Sequence, residues 1–454
     1  MYHFGSRAIT SDRFPAHRVA MMVNLEESAF ASLVFKALGT ATVIYLGHYL
    51  WTRWRSRFMK PELSTRNSDE HGAQRHCLTK GHWSHISVWF DLVSDLTVDT
   101  CFLAISREQA RALQKATEYS RLDAHHRATE QNQADILDPL GMLKDSELAN
   151  LNILIAELDR AMADLQQRRD QKCSGFFVRL DTRSPKDAVF LLPRVRQILE
   201  ATVPLRSFRN PWSSDAQTYD AACVNQAIIA AQRVSTGREA VDLLRHSQRV
   251  EADLVMGQVA NAGGSGDLSS HLVVRRWEYR IDPNYEVRVF VYAGRVTGIT
   301  QYNSSCLMPL LRDHVREVAQ LICAAVERPG GVHDRIRDIL TADPDPSLGG
   351  ETFYVIDFAL IANCDTSSSV PFEQALLIEI NPAPPVAGTI LFNWQDKQDR
   401  VILTTRRNPE DLPCVRLVKK PIAWRDTPFH PPLKAHVDAL RHRRSRWPFS
   451  RRSV

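Results

Sequence analysis

The sequence lacks the cysteine spacing on which zinc ribbons and disulfide frameworks depend. Eight cysteines are scattered through 454 residues, and no two of them form a C-x-x-C pair. Small secreted folds and zinc-binding modules place their cysteines at short, regular spacings. The sequence therefore predicts reduced thiols and a cytoplasmic protein.

Aromatic residues are also few, at 8%, whereas the 44% hydrophobic and 24% charged residues are ordinary for a globular protein. This composition excludes collagen-like repeats and wholesale disorder. The length allows one large two-lobed domain or two to three domains of average size, and either arrangement can bury a sizeable core.

A net positive charge is absent from the body of the chain. The formal net charge is +5, but the last 21 residues contain seven Lys or Arg and one Asp, which leaves a net charge of −1 for the rest. A nucleic-acid-coating protein spreads basic charge over its folded body, so we expect no direct DNA binding. The Pro-rich and basic tail, residues 408–454, is predicted to be solvated, with RNA, an acidic partner or anionic lipid as alternative weak contacts.

The N-terminal extension, residues 1–75, contains one largely apolar segment, 29–50, and a polar linker, 61–75. The apolar segment ends against tryptophans and arginines, as membrane anchors do. Lys36 and His48 interrupt it, and a charge inside a membrane span is expensive. A membrane anchor and a helix on the protein surface therefore remain as two alternatives.

Hydrophobic periodicity predicts mixed helices and strands from residue 77 to about 400. Apolar residues recur at helical spacing over 143–168. Ser106 and Gln109 form a capping box that starts a helix through Leu113, directly after a predicted strand. Ser184 and Pro185 predict another helix start, after a strand that ends at residue 180.

A hairpin is predicted over 286–301, where Ala293-Gly294 is a two-residue turn. This turn pairs Tyr292 with Arg295, and it sets Glu286 opposite Gln301. Glu286, Arg288 and Gln301 then share a polar face, while valines 287, 289 and 291 form a core face. Such a polar face suits the ribose and phosphates of a nucleotide; a solvated outer face is the alternative.

Two carboxylates and an amide are predicted to meet on a second hairpin. Asp357 lies inside an apolar strand, and Glu379 and Asn381 lie at the end of the next one. Asp357 and Glu379 are each 11 residues from Ser368, at the centre of the connecting loop, so the register sets them opposite each other. Their oxygens suit magnesium; structural ion pairs with arginines are the alternative.

The strand Asp followed by an E-x-N strand end resembles the magnesium signature of ATP-grasp proteins, which bind ATP between two α+β lobes. More specifically, several blocks resemble the cell division cycle protein 123 family, over about residues 77–400. They are Trp89-Phe90 with Leu96-Thr97, residues 177–188, 272–301 and 354–394, and more weakly 243–254. The resemblance implies an α+β, ATP-grasp-like two-lobed fold with antiparallel sheets and flanking helices.

The resemblance also implies a function. The family binds Mg-ATP and is known as an assembly chaperone for eukaryotic translation initiation factor 2, acting through the gamma subunit. An ATP-dependent ligase or phosphotransferase with an unknown acceptor is the alternative. The sequence identifies no catalytic nucleophile or general base beyond the metal ligands, which favours the binding protein.

Site residues follow from the same resemblance, position by position. Asp357, Glu379 and Asn381 would hold Mg²⁺. The cofactor-binding residues would be Arg179, Asp181, Arg183, Arg275, Arg276, Trp277, Glu286, Arg288, Gln301 and Tyr302. Arg179 stands where the best-known members have Lys, and Asp181 stands where they have Asn. The strand end reads Glu-Ile-Asn-Pro-Ala-Pro-Pro, without their Asp and aromatic after the Pro, so this looks like a divergent member whose partner specificity does not follow.

Overall fold

The computed structural model describes residues 84–129, 140–168, 174–188, 193–202, 214–262, 271–342, 350–363, 371–420, 422, 424–427 and 431–445. The segment 29–50 and the linker 61–75 lie outside these residues. Within these ranges, no helix has both the length and the apolar character needed to cross a membrane.

Helices and short strands alternate along the described chain. The α-helices are α1 Ile86–Val93, α2 Arg107–Thr129, α3 Asp145–Gln167, α4 Pro193–Thr202, α5 Ser214–Ala231, α6 Gly237–Arg245, α7 Gln248–Ala262, α8 Pro309–Asp313, α9 Val315–Glu327, α10 Val332–Thr341, α11 Lys397–Thr404 and α12 Pro431–Ser445. The strands are β1 Thr100–Ala104, β2 Phe176–Leu180, β3 Arg233–Val234, β4 His271–Arg276, β5 Glu286–Tyr292, β6 Arg295–Gln301, β7 Phe353–Ala362, β8 Phe372–Pro382 and β9 Cys414–Arg416.

The first lobe is built on a four-stranded antiparallel sheet in the order β1-β4-β2-β3. Helix α3 buries Leu151, Leu154 and Leu158 in the core of this lobe, which confirms the helix predicted from periodicity. The predicted capping box is also present, because Ser106 and Gln109 exchange hydrogen bonds of 2.8 and 3.1 Å. Helix α2 then continues well beyond Leu113.

The second lobe is built on a five-stranded sheet in the order β8-β7-β5-β6-β9, antiparallel except for the β6–β9 pair. Val287, Val289 and Val291 are completely buried on one face of β5, as the alternation predicts. The prediction of an α+β fold with antiparallel sheets and flanking helices is therefore confirmed.

The β5–β6 hairpin has the predicted ends and turn. Ala293 and Gly294 both have positive φ, at 48° and 75°, which is the backbone that a two-residue turn between twisted strands requires. Tyr292 pairs with Arg295, as predicted.

The register at the other end of this hairpin differs from the prediction. A bulge between Phe290 and Val291 shifts the pairing, so that Val287, not Glu286, lies opposite Gln301. One extra residue in a strand moves every later side chain by one position. The predicted polar face of Glu286, Arg288 and Gln301 is therefore wrong for Gln301.

The predicted helix start at Ser184 is also wrong, because residues 184–187 form an irregular turn. Asp187 instead helps to begin α7. Its carboxylate accepts hydrogen bonds from the Ser247 hydroxyl at 2.5 Å and from the Arg249 backbone N–H at 3.1 Å. An acid at a helix N-terminus satisfies N–H groups that have no partner inside the helix.

The C-terminal region is more ordered than the predicted solvated tail. It contributes β9 to the second sheet, and α12 buries Leu433, Val437 and Leu440 in the first lobe. Arg441 is 1% exposed and donates to Asp220 at 2.5 Å. Part of the basic charge in this region therefore holds the fold together.

Candidate functional site

A row of charged side chains crosses the second sheet. Asp357 on β7 lies in register with Glu379 on β8, on one side, and with Arg288 on β5, on the other. The first pairing confirms the register predicted from the loop. A bulge directly after Asp357 shifts the register on the side of the loop, so the predicted pairing holds from Tyr354 to Asp357 and not beyond.

Asp357 is completely buried and fully hydrogen-bonded. The Arg288 guanidinium donates to both of its oxygens, at 2.8 and 2.7 Å, and the Asn381 amide donates to Oδ2 at 3.1 Å. Burial raises the pKa of the Asp357 carboxyl above its ordinary value, even with Arg288 beside it. Asp357 therefore holds the side chains of Arg288 and Asn381 in place.

Glu379 joins the two lobes. Arg179 reaches across from β2, and its Nη1 donates to Glu379 Oε2 at 2.5 Å. Burial alone would raise the pKa of Glu379, but Arg179 and Lys186 outweigh it and hold this pKa below its ordinary value. The other oxygen, Oε1, accepts no hydrogen bond from the part of the chain that the structure describes, so it is open to a cation.

Arg275 makes a second connection between the lobes. From β4, its guanidinium donates to the Ile378 carbonyl at 2.7 Å and to the Thr97 hydroxyl at 2.5 Å. Thr97 in turn donates to the Leu377 carbonyl at 2.6 Å. The side chain of Arg275 therefore supports the cleft at the edge of β8.

Lys186 was not predicted as a site residue, yet it lies at the centre of the site. Its Nζ donates to the Tyr302 hydroxyl at 3.1 Å and lies 4.8 Å from the centre of that ring, where the Arg288 guanidinium also lies, at 5.0 Å. Burial alone would lower the pKa of Lys186, but the Tyr302 hydroxyl and the carboxyl groups of Glu286, Glu379 and Asp357 raise it above its ordinary value. The sequence did contain a signal for Lys186 as a site residue, because it lies only three residues after the predicted cofactor-binding residue Arg183.

Glu286 has a buried oxygen that lacks a partner. Its Oε1 makes no hydrogen bond to any described residue. Burial raises the pKa of this carboxyl to about 7, although the charge on Lys186 acts in the opposite direction. A buried acceptor without a donor is costly, so this atom suits the hydroxyl of a ligand.

Two adjoining cavities separate the lobes, and they share Arg179, Ser184, Lys186 and Glu379. The polar cavity has a volume of about 510 Å³ and is lined further by Ser84, His85, Ile86, Thr182, Arg183, Arg249, Asp253, Arg288, Tyr302, Ile380, Asn381, Pro382, Val386, Ala387 and Gly388. The apolar cavity has a volume of about 120 Å³ and is lined further by Val98, Phe177, Ile229, Gln232, Arg275, Arg276, Trp277, Glu278, Ile281, Pro283, Glu286 and Ile378.

Two of the predicted cofactor-binding residues line neither cavity. The Asp181 carboxylate accepts hydrogen bonds from the backbone and hydroxyl of Ser87 at the start of α1. The Gln301 amide donates to the carbonyls of Asn303 and Cys306, at 2.6 and 2.7 Å. Both residues therefore stabilise the walls. The other eight predicted residues line the cavities: Arg179, Arg183, Arg275, Arg276, Trp277, Glu286, Arg288 and Tyr302.

Comparison with known proteins relates part of this chain to a protein family. The model of the D123 family matches residues 219–431, which include Glu286, Arg288, Tyr302, Asp357 and Glu379. Residues 219–431 of the chain are a D123 domain. The match begins within α5 and includes the whole second sheet.

Individual relatives of this D123 protein are distant. The translation initiation factor eIF2 assembly protein of Dictyostelium discoideum is 25% identical over 187 residues, which are 39% of this chain and 42% of that protein. The chain thus matches less than half the length of this curated relative. Two Cdc123 structures from Schizosaccharomyces pombe cover 74% of this chain and 96% of their own, with 19% identity and a TM-score of 0.44 for the C-terminally truncated form, and 18% and 0.43 for the other.

The donors in this D123 cleft fit a nucleotide with a divalent cation. Arg179, Lys186 and Arg288 supply cations for phosphate oxygens, and the unpaired Glu286 oxygen suits a ribose hydroxyl. No cluster of three or more His, Cys, Asp or Glu that could hold a metal occurs among the described residues. A cation near Glu379 would therefore take part of its oxygen ligands from the phosphates, as Mg²⁺ commonly does.

Proposed function

We propose that this D123 protein binds Mg-ATP between its lobes and acts as an assembly chaperone for translation initiation factor 2. The single observation that carries the nucleotide proposal is the convergence of Arg179, Lys186 and Arg288 on one polar cavity that adjoins an apolar one. A polar region for phosphates beside an apolar region for a base is the chemistry that a nucleotide site requires.

The apolar cavity would hold the adenine. Residues 276–278, Phe177 and Ile378 are among those that line it. The Glu286 carboxylate would accept a hydrogen bond from the ribose, because its Oε1 is buried without a donor. The Tyr302 ring would stay between the Lys186 and Arg288 cations, so that its face keeps both in place.

The polar cavity would hold the phosphates. Arg179, Lys186 and Arg288 would donate to their oxygens from both lobes, with Arg183 and Arg249 nearer the opening. Glu379 and Asn381 would take part in binding Mg²⁺, and Asp357 would support them through Arg288 and Asn381. A bound Mg²⁺ would neutralise phosphate charge that the arginines leave uncompensated.

The assembly role is supported by the family and by the curated relative from Dictyostelium, whose name states that it assembles eIF2. We propose that the corresponding partner here is translation initiation factor 2, through its gamma subunit. Arg179 of the first lobe contacts Glu379 of the second lobe across the cleft. A nucleotide bound beside this contact would touch both lobes and would hold them in one arrangement.

Calorimetry with Mg-ATP tests the nucleotide proposal. The wild type is expected to bind, and Lys186→Met is expected to raise Kd by about 10- to 100-fold, since a hydrogen bond from a charged group contributes about 1.5–3 kcal/mol. Lys115→Met is the matched control, because Lys115 pairs with Glu118 on the surface of α2. Equal Kd values for wild type and Lys186→Met would contradict the proposal.

A binding assay with separately purified subunits of translation initiation factor 2 tests the partner. Capture of the gamma subunit, weakened without ATP, is the expected result. ATP turnover should remain at background, with or without the partner. Failure of the folded, ATP-binding protein to capture any subunit would contradict the assembly role, and turnover stimulated by an acceptor would establish the ligase or phosphotransferase alternative.

A further inference from the structure

A third cavity lies at the opposite end of the β5–β6 hairpin from the nucleotide cleft. This turn pocket has a volume of about 330 Å³ and is formed by the Ala293-Gly294 turn, the end of α9 and the start of α10. Each strand of the hairpin has seven residues, so the pocket and the cleft are about 20 Å apart at the ordinary rise of a strand. The two sites are therefore separate.

Arginine dominates the lining of the turn pocket, with Arg295, Arg328, Arg337 and Arg406. The two acids of the pocket are already neutralised. Glu327 accepts from Arg295 at 2.8 Å and from Arg407 at 2.5 Å, and Asp334 pairs with Arg337.

Two cations of the pocket have no direct partner among the described residues, although Arg328 acts electrostatically on Asp95, which Arg335 already pairs. Arg328 and Arg406 are exposed, and neither side chain has a hydrogen bond or ion pair with another residue that the structure describes. Two free guanidinium groups in one concave site match a dianion, and the planar guanidinium fork binds phosphate oxygens in pairs. A carboxylate, with a single charge, would leave one of them unmatched.

The opposite wall of the pocket is rigid. The His333 ring stacks on Tyr354, with 14° between the planes, and its Nδ1 lies 3.0 Å from the buried Tyr354 hydroxyl. A side chain at Gly294 would come within 2.7 Å of His333 Nε2, so the turn is packed directly on this ring. This packed wall, in a pocket that Arg328 and Arg406 also line, distinguishes the site from a flat solvated surface.

The positive charge also acts on His333 itself. Burial, Arg337 and Arg295 lower the pKa of this histidine, with Glu327 acting in the opposite direction. The imidazole is therefore neutral near pH 7, and the positive charge of the pocket belongs to its arginines.

We propose that the turn pocket binds a phosphate monoester group, held by Arg328 and Arg406 against the wall formed by the turn and His333. This site goes beyond the nucleotide cleft and does not depend on it. The phosphate group belongs either to a free phosphorylated small molecule or to a phosphorylated residue of a protein.

Calorimetry at constant ionic strength tests the site, with O-phosphoserine as the probe and serine as its uncharged counterpart. The wild type is expected to bind O-phosphoserine, and Arg328→Gln/Arg406→Gln is expected to raise Kd at least tenfold. Both arginines are exposed, so the double variant should remain folded. Arg312→Gln, at an exposed arginine outside the pocket, is the matched control and should bind as the wild type does.

Lys186→Met separates this proposal from the nucleotide site. It should weaken ATP binding while it leaves the Arg328- and Arg406-dependent binding of O-phosphoserine unchanged. A phosphoserine peptide that binds more tightly than the free amino acid would identify a protein as the source, and equal or weaker binding would identify a small molecule.

Three outcomes would overturn the proposal. O-Phosphoserine that binds no better than serine would exclude a phosphate site. Equal Kd values for wild type and the double variant would place the binding elsewhere. A peptide with Glu in place of phosphoserine that binds as tightly as the phosphorylated one would show a general acidic-group site.

Discussion

The buried Arg288–Asp357 pair gives the sharpest test of how the site is built. Asp357 is 0% exposed, and Arg288 donates to both of its oxygens. Removing one partner of a buried ion pair leaves an uncompensated charge and costs about 3–5 kcal/mol. Arg288→Met should therefore reduce the free energy of unfolding by about that amount at pH 8.

A second substitution should recover part of this loss. Asn in place of Asp357 has no charge to bury, so Arg288→Met/Asp357→Asn should be more stable than Arg288→Met alone, by about 2 kcal/mol. Asn also keeps an oxygen that accepts from the Asn381 amide, as Asp357 Oδ2 does. If Arg288 stabilised the fold only through its packing, adding Asp357→Asn to Arg288→Met would not recover any free energy of unfolding.

The loss should also depend on pH. Burial already raises the pKa of Asp357, and removal of Arg288 raises it further. A raised pKa in the folded state means that folded Asp357 holds its proton more tightly than unfolded Asp357 does. Its contribution to stability is therefore present below the unfolded pKa and is lost as the pH rises. The deficit of Arg288→Met should be smallest near pH 4 and should grow toward pH 8.

Urea unfolding followed by tryptophan fluorescence measures these differences, with Arg312→Met as an exposed control. Arg312 pairs only with its neighbour Asp313 on the surface, so its loss should change stability by less than about 0.5 kcal/mol. The reasoning is refuted if Arg288→Met loses no more than this control, if its deficit is the same at pH 4 and pH 8, or if the double variant is less stable than Arg288→Met.

Four further perturbations probe other parts of the fold. Gly294→Ala should lower stability more than Gly330→Ala in thermal unfolding, because both have positive φ but only Gly294 lies against a side chain; equal losses would contradict the contact. Glu286→Gln should gain up to about 3 kcal/mol over the wild type as the pH rises from 4 to 8, since a pKa raised from 4.5 to about 7 makes the wild type lose stability between these two values; a constant difference in urea unfolding would contradict this. Arg441→Met should cost about 3 kcal/mol in urea unfolding, because the buried Asp220 carboxylate loses its guanidinium partner, and a loss within about 0.5 kcal/mol, the surface value, would exclude that role. Cys306, whose pKa burial raises to about 12, should react with a thiol reagent at pH 8 far more slowly than the unfolded chain does, as mass spectrometry would show.

Local sequence patterns were sufficient where a feature depends on near neighbours. The Ala293-Gly294 turn determines its own hairpin, and the capping box at Ser106 needs only Gln109, three residues later. The pairing of Asp357 with Glu379 was predicted from the centre of one loop, although two register shifts lie between that loop and the pair. These features form between residues close in sequence, so a single segment contains the information.

Features that depend on distant residues could not be predicted in this way. Asp181 is held by Ser87, 94 residues away, and Arg441 pairs with Asp220, 221 residues away. The bulge after Phe290 has no local signal, although it moves Glu286 by one position. Such contacts depend on how the elements pack, which the pattern within one element does not specify.

The central claim is tested most directly by a structure determined with a non-hydrolysable ATP analogue and Mn²⁺ in place of Mg²⁺. The account predicts triphosphate density against Arg179, Lys186 and Arg288, and an anomalous peak for manganese beside Glu379 Oε1. Phosphates bound elsewhere, or a cleft in which the analogue is absent while Arg179 and Glu379 remain paired, would contradict it.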